Sequence, residues 1–191
     1  TSDDEASPLV TLTASSSSVA ENGGTSTLTA TQNVVTASDT TVNLNTSGNA
    51  TLNADYSISS STITISAGST SGTATLTAIT DQLDDDGEAI VVDISSVSGA
   101  NSVAENGTQQ TTVTITDDDN ASFTVTQTSG STIVDESGSA DNFTVVLGSQ
   151  PTGNVAFSLG ASDSSEVSIS PSTLTFTCLL YTSDAADDLF R

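Results

Sequence analysis

Apolar and polar residues alternate with period two along most of the first 120 positions. Leu9, Leu28, Val42 with Leu44, Ile63 with Ile65, Leu76, the series Ile90, Val92, Ile94, and Val113 with Ile115 stand among Thr and Ser. Successive side chains on a strand point to opposite faces, so this spacing builds one apolar face per strand. It predicts strands A at 8–14 with an extension to about 20, B at 25–31, C at 40–46, D at 61–66, E at 72–79, F at 89–95 and G at 109–116. Clusters of Gly, Asn, Asp and Ser punctuate them. No stretch carries an apolar stripe at helical spacing. About seven short strands of this kind predict an all-β, immunoglobulin-like antiparallel β-sandwich.

The pattern repeats. Asp117-Asp118-Asp119-Asn120-Ala121-Ser122-Phe123 echoes Asp3-Asp4-Glu5-Ala6-Ser7-Pro8-Leu9, and Val134-Asp135-Glu136-Ser137-Gly138 echoes Val19-Ala20-Glu21-Asn22-Gly23. A period near 114 residues suits one sandwich domain and is too long for a solenoid, so the sandwiches stand in tandem. The expected organisation is the tail of a preceding repeat at 1–7, a complete sandwich at 8–119 and a partial one at 120–177. In the partial repeat, Val145 and Val146, Phe157 and the run Pro171–Phe176 read as strands B to D. The run Cys178–Asp188 breaks the Ser/Thr alternation and resembles the translation of a transposon adapter used in sequencing libraries. Residues 178–191 are therefore set apart from the fold, and Cys178 carries no message about redox compartment.

Composition narrows the chemistry. The chain has 191 residues, 24 acidic and 1 basic, with no His, Met or Trp. The single base is Arg191, so residues 1–177 carry 21 acids and no base. No Lys/Arg patch exists to neutralise phosphates, which excludes nucleic acid as a partner, and none to dock on anionic lipid. No apolar run is long enough to insert directly in a membrane. Without His or Lys there is no ordinary general base and no Schiff-base amine, and no catalytic residue is expected. A paired-carboxylate glycosidase is disfavoured because no aromatic sugar platform accompanies the acids. Carboxylates, hydroxyls and amides remain, and these suit hard cations.

In the predicted sandwich, the A–B, C–D and E–F connections and the end of strand G share one pole. That pole receives Glu21, Asp55, Asp81, Asp84, Asp85, Asp86, Glu88, Asp117, Asp118 and Asp119; the other receives Asp39 and Glu105. Two carboxylates about 4 Å apart repel by roughly 4 kcal/mol at an effective dielectric near 20. With no base at hand, they splay into water, take up protons or share a metal ion. Ca²⁺ accepts six to eight oxygens in flexible geometry, whereas Mg²⁺ demands a strict octahedron and retains waters. A solvated acidic cap that aids solubility is the alternative.

These residues, in this order, resemble the Calx-beta domain. The resemblance rests on Val19–Gly23, Ala54-Asp55-Tyr56, Ile63–Gly68, Ile79-Thr80-Asp81, Asp85-Asp86-Gly87-Glu88 and Val113–Asp119. It implies a calcium-binding sandwich in which Glu21 bridges ions from the A–B turn and Asp55 contributes from the C–D side. Asp81, Asp85 and Glu88 would ligate from the E–F loop, and Asp117, Asp118 and Asp119 from the end of G. The family often has paired Asp where this chain has Thr80-Asp81, so one ion position is weakened unless Asp84 or Asp86 substitutes.

The resemblance and the tandem pattern together suggest an extracellular structural or adhesive repeat of a bacterial surface or secreted protein. Its partners would be calcium ions, adjacent repeats and cell-surface or matrix ligands, with Ca²⁺ stiffening the junctions between repeats. A calcium-sensing regulatory module and an ion-free acidic spacer are the alternatives. The second Val-Ala-Glu-Asn-Gly, at 103–107, reads as a recurring turn rather than a second calcium site. The N-glycosylation sequons at Asn49, Asn106, Asn120 and Asn142 read as by-products of a Ser/Thr/Asn-rich chain.

Overall fold

A computed structural model describes residues 7–99, 102–178 and 187–188. Two compact units emerge, one formed by residues 1–81 and 85–118, the other by 82–84 and 119–191. The acids Asp3, Asp4 and Glu5, and most of 178–191, lie outside the described residues.

The first unit holds ten strands among its described residues: β1 Leu9–Ala14, β2 Ser18–Ala20, β3 Thr25–Gln32, β4 Thr40–Gly48, β5 Tyr56–Ile58, β6 Thr62–Ile65, β7 Ser71–Ala78, β8 Ala89–Ser98, β9 Ala104–Glu105 and β10 Gln110–Thr116. They form two five-stranded sheets, in the orders β5-β7-β3-β1-β9 and β2-β10-β8-β4-β6. Their apolar faces bury one continuous cluster that includes Val10, Leu28, Val42, Ile63, Ile65, Leu76, Ile90, Val92 and Val113. Strand β8 shows the logic plainly, with Ile90, Val92 and Ile94 buried and the residues between them half-buried.

The period-two reading located the strands, and the structure corrects their number. Predicted strand A splits: β1 pairs antiparallel with β3 in one sheet, while β2 pairs parallel with β10 in the other. The crossing at Ser15–Ser17 is held by side chains. Ser26 Oγ donates to Ser16 O at 2.8 Å, and Ser15 Oγ accepts from Thr27 N at 2.9 Å. Strand G, expected at 109–116, is β10, antiparallel to β8, while β9 is an additional short strand in the expected F–G loop, parallel to β1. Strand β5 is an addition at the edge of β7.

Close approach of strands explains one glycine. Gly48 ends β4 at φ +113°, and a Cβ there would stand 2.1 Å from Ala89 O. Any other residue would push β4 off the start of β8. The buried polar residues Gln32 and Thr40 are paired. Thr40 Oγ1 donates to Gln32 Oε1 at 2.9 Å, and Gln32 Nε2 donates to Ser69 O at 2.8 Å.

The second unit repeats the opening pairings on a smaller scale. Strand β11 (Phe123–Gln127) pairs antiparallel with β12 (Asn142–Leu147), as β1 does with β3. Strands β13 (Val155–Ser158) and β14 (Thr173–Phe176) pair as β4 does with β6. A short β15, Asp187–Asp188, joins β12, so two residues expected to stand outside the fold pair with it. The core here is slight: Val145, Leu174 and Phe176 are buried, and Phe157 meets Phe123 and Phe176 edge-on at 4.9 and 5.7 Å.

Ile90, the second residue of β8, lies fully buried. Truncation to Ala removes its branched side chain from a cavity that the flanking strands cannot close. Ile90→Ala should cost about 2–5 kcal/mol in urea unfolding. A loss below about 1 kcal/mol would show that β8 is not central to the core.

Candidate metal centre

Glu21 directly follows β2, whose parallel pairing sets it beside the end of β10. Its backbone N donates to Thr116 O at 2.9 Å. The side chain is buried, with 4% exposure. One oxygen, Oε1, accepts from Asp81 N at 2.6 Å. The other, Oε2, is the sole buried side-chain oxygen or nitrogen among the described residues without a hydrogen-bond partner. A buried, unpartnered carboxylate oxygen is costly unless a proton or cation meets it.

Glu21, Asp117 and Asp118 each offer a carboxylate oxygen, and these lie within 4.8 Å of one another, whereas Asp119, next along the chain, belongs to the second unit. Asp55, Asp85 and Glu88 form a second set within the same limit. The two sets are stitched together through the backbone of the 81–88 loop. Asp85 N donates to Asp117 Oδ2 at 3.0 Å, and Asp81 N holds Glu21. The Asp81 carboxylate belongs to neither set, but its charge acts on both Glu21 and Glu88.

Local structure fixes each remaining donor. Asp55 Oδ2 accepts from Thr51 N at 2.5 Å, closing the turn after β4, and Asp55 O accepts from Ile79 N at 2.9 Å. Glu88 sits between two bonds to one side chain: Asn49 Nδ2 donates to Gly87 O at 3.1 Å, and Asn49 Oδ1 accepts from Ala89 N at 2.8 Å. Sequence reasoning saw Asn49 only as a sequon. Its place one residue before a buried Ala, at a strand end, carried no signal of this bracing role.

The structure also separates residues that the sequence grouped. Asp84 belongs to the second unit, where its Oδ2 accepts from Ala121 N at 2.5 Å. Asp86 is exposed and joins neither set, so neither residue stands in for the acid missing at Thr80. Glu136, the counterpart of Glu21 by sequence echo, is exposed. The acid before it, Asp135, is engaged locally, accepting from Ser137 N at 2.8 Å, and these bonds hold its carboxyl below the usual range.

The electrostatics report the crowding. Burial pushes the Glu21 carboxyl up against the opposing bond from Asp81 N, and the neighbouring Asp117 and Asp81 carboxylates add to the rise. Burial, a hydrogen bond shared with Asp55 and the charges of Asp55, Asp85 and Asp81 push Glu88 from 4.5 up to about 8. The residues fit a hard divalent cation: an all-oxygen donor set, an orphaned buried oxygen, and protons retained where a positive charge is lacking. A carboxyl that binds its proton more tightly when folded favours the folded state at low pH, and that contribution disappears as pH rises through the folded pKa. The melting temperature of the chelator-treated chain should therefore fall between about pH 4.5 and about pH 8. A flat or rising profile across that window would contradict the crowding.

Comparison with known proteins follows the same lines. The family model of the Calx-beta domain matches residues 3–119, more than half of the chain. Among solved structures, CBD12 from CALX1.2 is 18% identical, with TM-score 0.50, and the match covers 95% of this chain and 74% of that one. The apo form of the Calx CBD1 domain is also 18% identical, with TM-score 0.48, covering 58% of this chain and 99% of that one. No curated protein matches the chain in sequence.

Proposed function

The chain belongs to the Calx-beta family, and from that premise we propose that it is a calcium-binding structural repeat. Its ligands would be Glu21, Asp55, Asp81, Asp85, Glu88, Asp117, Asp118 and Asp119. The observation that carries this reading is the orphaned Glu21 Oε2, buried beside the Asp117 and Asp118 carboxylates. Calcium would occupy the space that protons now stabilise, and would tolerate the irregular geometry of donors from a turn, a loop and a strand end. Magnesium, with its strict octahedron, suits that geometry less.

Calcium in this place does structural work. Three of the proposed ligands, Asp117 to Asp119, lead directly into the following repeat, so binding would stiffen the chain at the point where one repeat hands over to the next. A tandem array would then behave as a rod when calcium is present and as a flexible string when it is absent. Millimolar calcium outside cells suits such a device, which supports an extracellular, cell-surface setting with mechanical extension or adhesion as its role.

Ligand that binds only the folded state raises stability by about 2.7 kcal/mol at a hundredfold excess over Kd. Titrating the chain with Ca²⁺ should raise Tm, EDTA should reverse the rise, and Mg²⁺ at equal concentration should give a smaller shift. Millimolar affinity fits the rod; micromolar affinity with a change of shape would instead mark a calcium sensor. An unchanged Tm across the calcium range would leave the acidic spacer.

Glu21→Gln separates the metal's contribution from the fold's. The amide keeps the acceptor for Asp81 N and places a donor where the unpartnered oxygen stood. The variant should match or exceed the parent in Tm under EDTA, yet lose most of the calcium-induced rise. Retention of the full rise would remove Glu21 from the ligand set.

A further inference from the structure

The pentapeptide Val-Ala-Glu-Asn-Gly occurs twice, at 19–23 and 103–107, and both copies fold alike. Each buries its Val, at 7% and 8% exposure, adds a short strand parallel to a neighbour and ends in a Gly at φ +71° with an exposed Asn before it. The bonds around the two Asn-Gly peptide groups are nevertheless opposite. Gly23 N–H is spent, donating to Glu21 O at 2.6 Å. At the other copy the carbonyl is engaged instead: Gln109 Nε2 donates to Asn106 O at 2.6 Å, and among the described residues no acceptor takes the Gly107 N–H.

We propose that Asn106–Gly107 is a site of spontaneous covalent modification and that Asn22–Gly23 is its protected twin. The Gly107 nitrogen, on losing its proton, attacks Cγ of the Asn106 side chain. The new N–Cγ bond closes a five-membered succinimide, and the amide leaves as ammonia, taking up a proton. Water then opens the ring at either carbonyl, leaving aspartate or isoaspartate at position 106. The nucleophile is the peptide anion, whose charge rests largely on Asn106 O, where the Gln109 amide meets it. A donor fixed where negative charge develops lowers the barrier. At Gly23 the N–H must first be withdrawn from Glu21 O, and no donor reaches Asn22 O among the described residues. The product adds a negative charge beside β9. In the isoaspartate form it also lengthens the backbone where Asn106 N bonds Val10 O at 2.9 Å.

The test is peptide mapping of the intact chain after warm incubation at mildly alkaline pH, reading the mass gain of about 1 Da at each site. In the folded chain, position 106 should convert at least about tenfold faster than position 22, the ratio that one hydrogen bond on each side of the comparison supplies. In urea the two sites share the same local sequence and should converge. Gln109→Ala should slow position 106 and leave position 22 unchanged, and Gln109→Leu repeats the test with the side-chain volume kept. Equal rates in the folded chain, a faster position 22, or an unaltered rate at position 106 in both well-folded variants would overturn the proposal.

Discussion

Carboxylates of the first unit crowd into two close sets, Glu21 with Asp117 and Asp118, and Asp55 with Asp85 and Glu88, in a chain whose first 177 residues contain no base. That repulsion is the constraint around which the pole is organised. Backbone amides relieve part of it: Asp81 N holds Glu21, Asp85 N holds Asp117 and Thr51 N holds Asp55. Amides are partial charges and cannot neutralise the set. The remainder shows in the upward shift of the Glu21 and Glu88 carboxyls, the latter to about 8. A divalent cation meets the same need with a full charge, which links folding, pH and metal at a single place.

The rest of the sandwich satisfies its own buried groups among the described residues. Its core is built from Val, Ile, Leu and Ala with one buried Tyr, and the polar groups inside it, such as Gln32 and Thr40, find partners. The unmet oxygen is confined to Glu21. The unmet need is thus concentrated at the acidic pole. The parallel pairing of β2 with β10 is decisive, since it delivers Glu21 to the strand end that carries Asp117 and Asp118.

The second unit shows what the same plan does with fewer partners. Its β11–β12 and β13–β14 pairs copy β1–β3 and β4–β6, yet Phe123, Val125 and Val146 remain half exposed. Glu136 stays in solvent, and Asp135 satisfies itself with nearby Ser groups. An acid echoed in sequence becomes a buried ligand candidate only where a second sheet closes over it.

Much of this was legible in the sequence. Alternation of apolar and polar residues determined the strands and their buried faces, because a strand's side chains obey a strict period of two. The sorting of acids by connection determined which end would be crowded. Three things waited for the tertiary structure. Period two does not record which sheet a strand joins, so the crossing at Ser15–Ser17 and the short β9 in the F–G loop were invisible. The loop of consecutive acids at 84–86 could not reveal that Asp84 turns away to Ala121 N while Asp85 turns in to the cluster. The bracing of Glu88 by Asn49 joins residues some forty positions apart, and only the packed β4–β8 pair brings them together. Local chemistry sets what each residue prefers; which preference is satisfied depends on long-range neighbours that only the folded chain supplies.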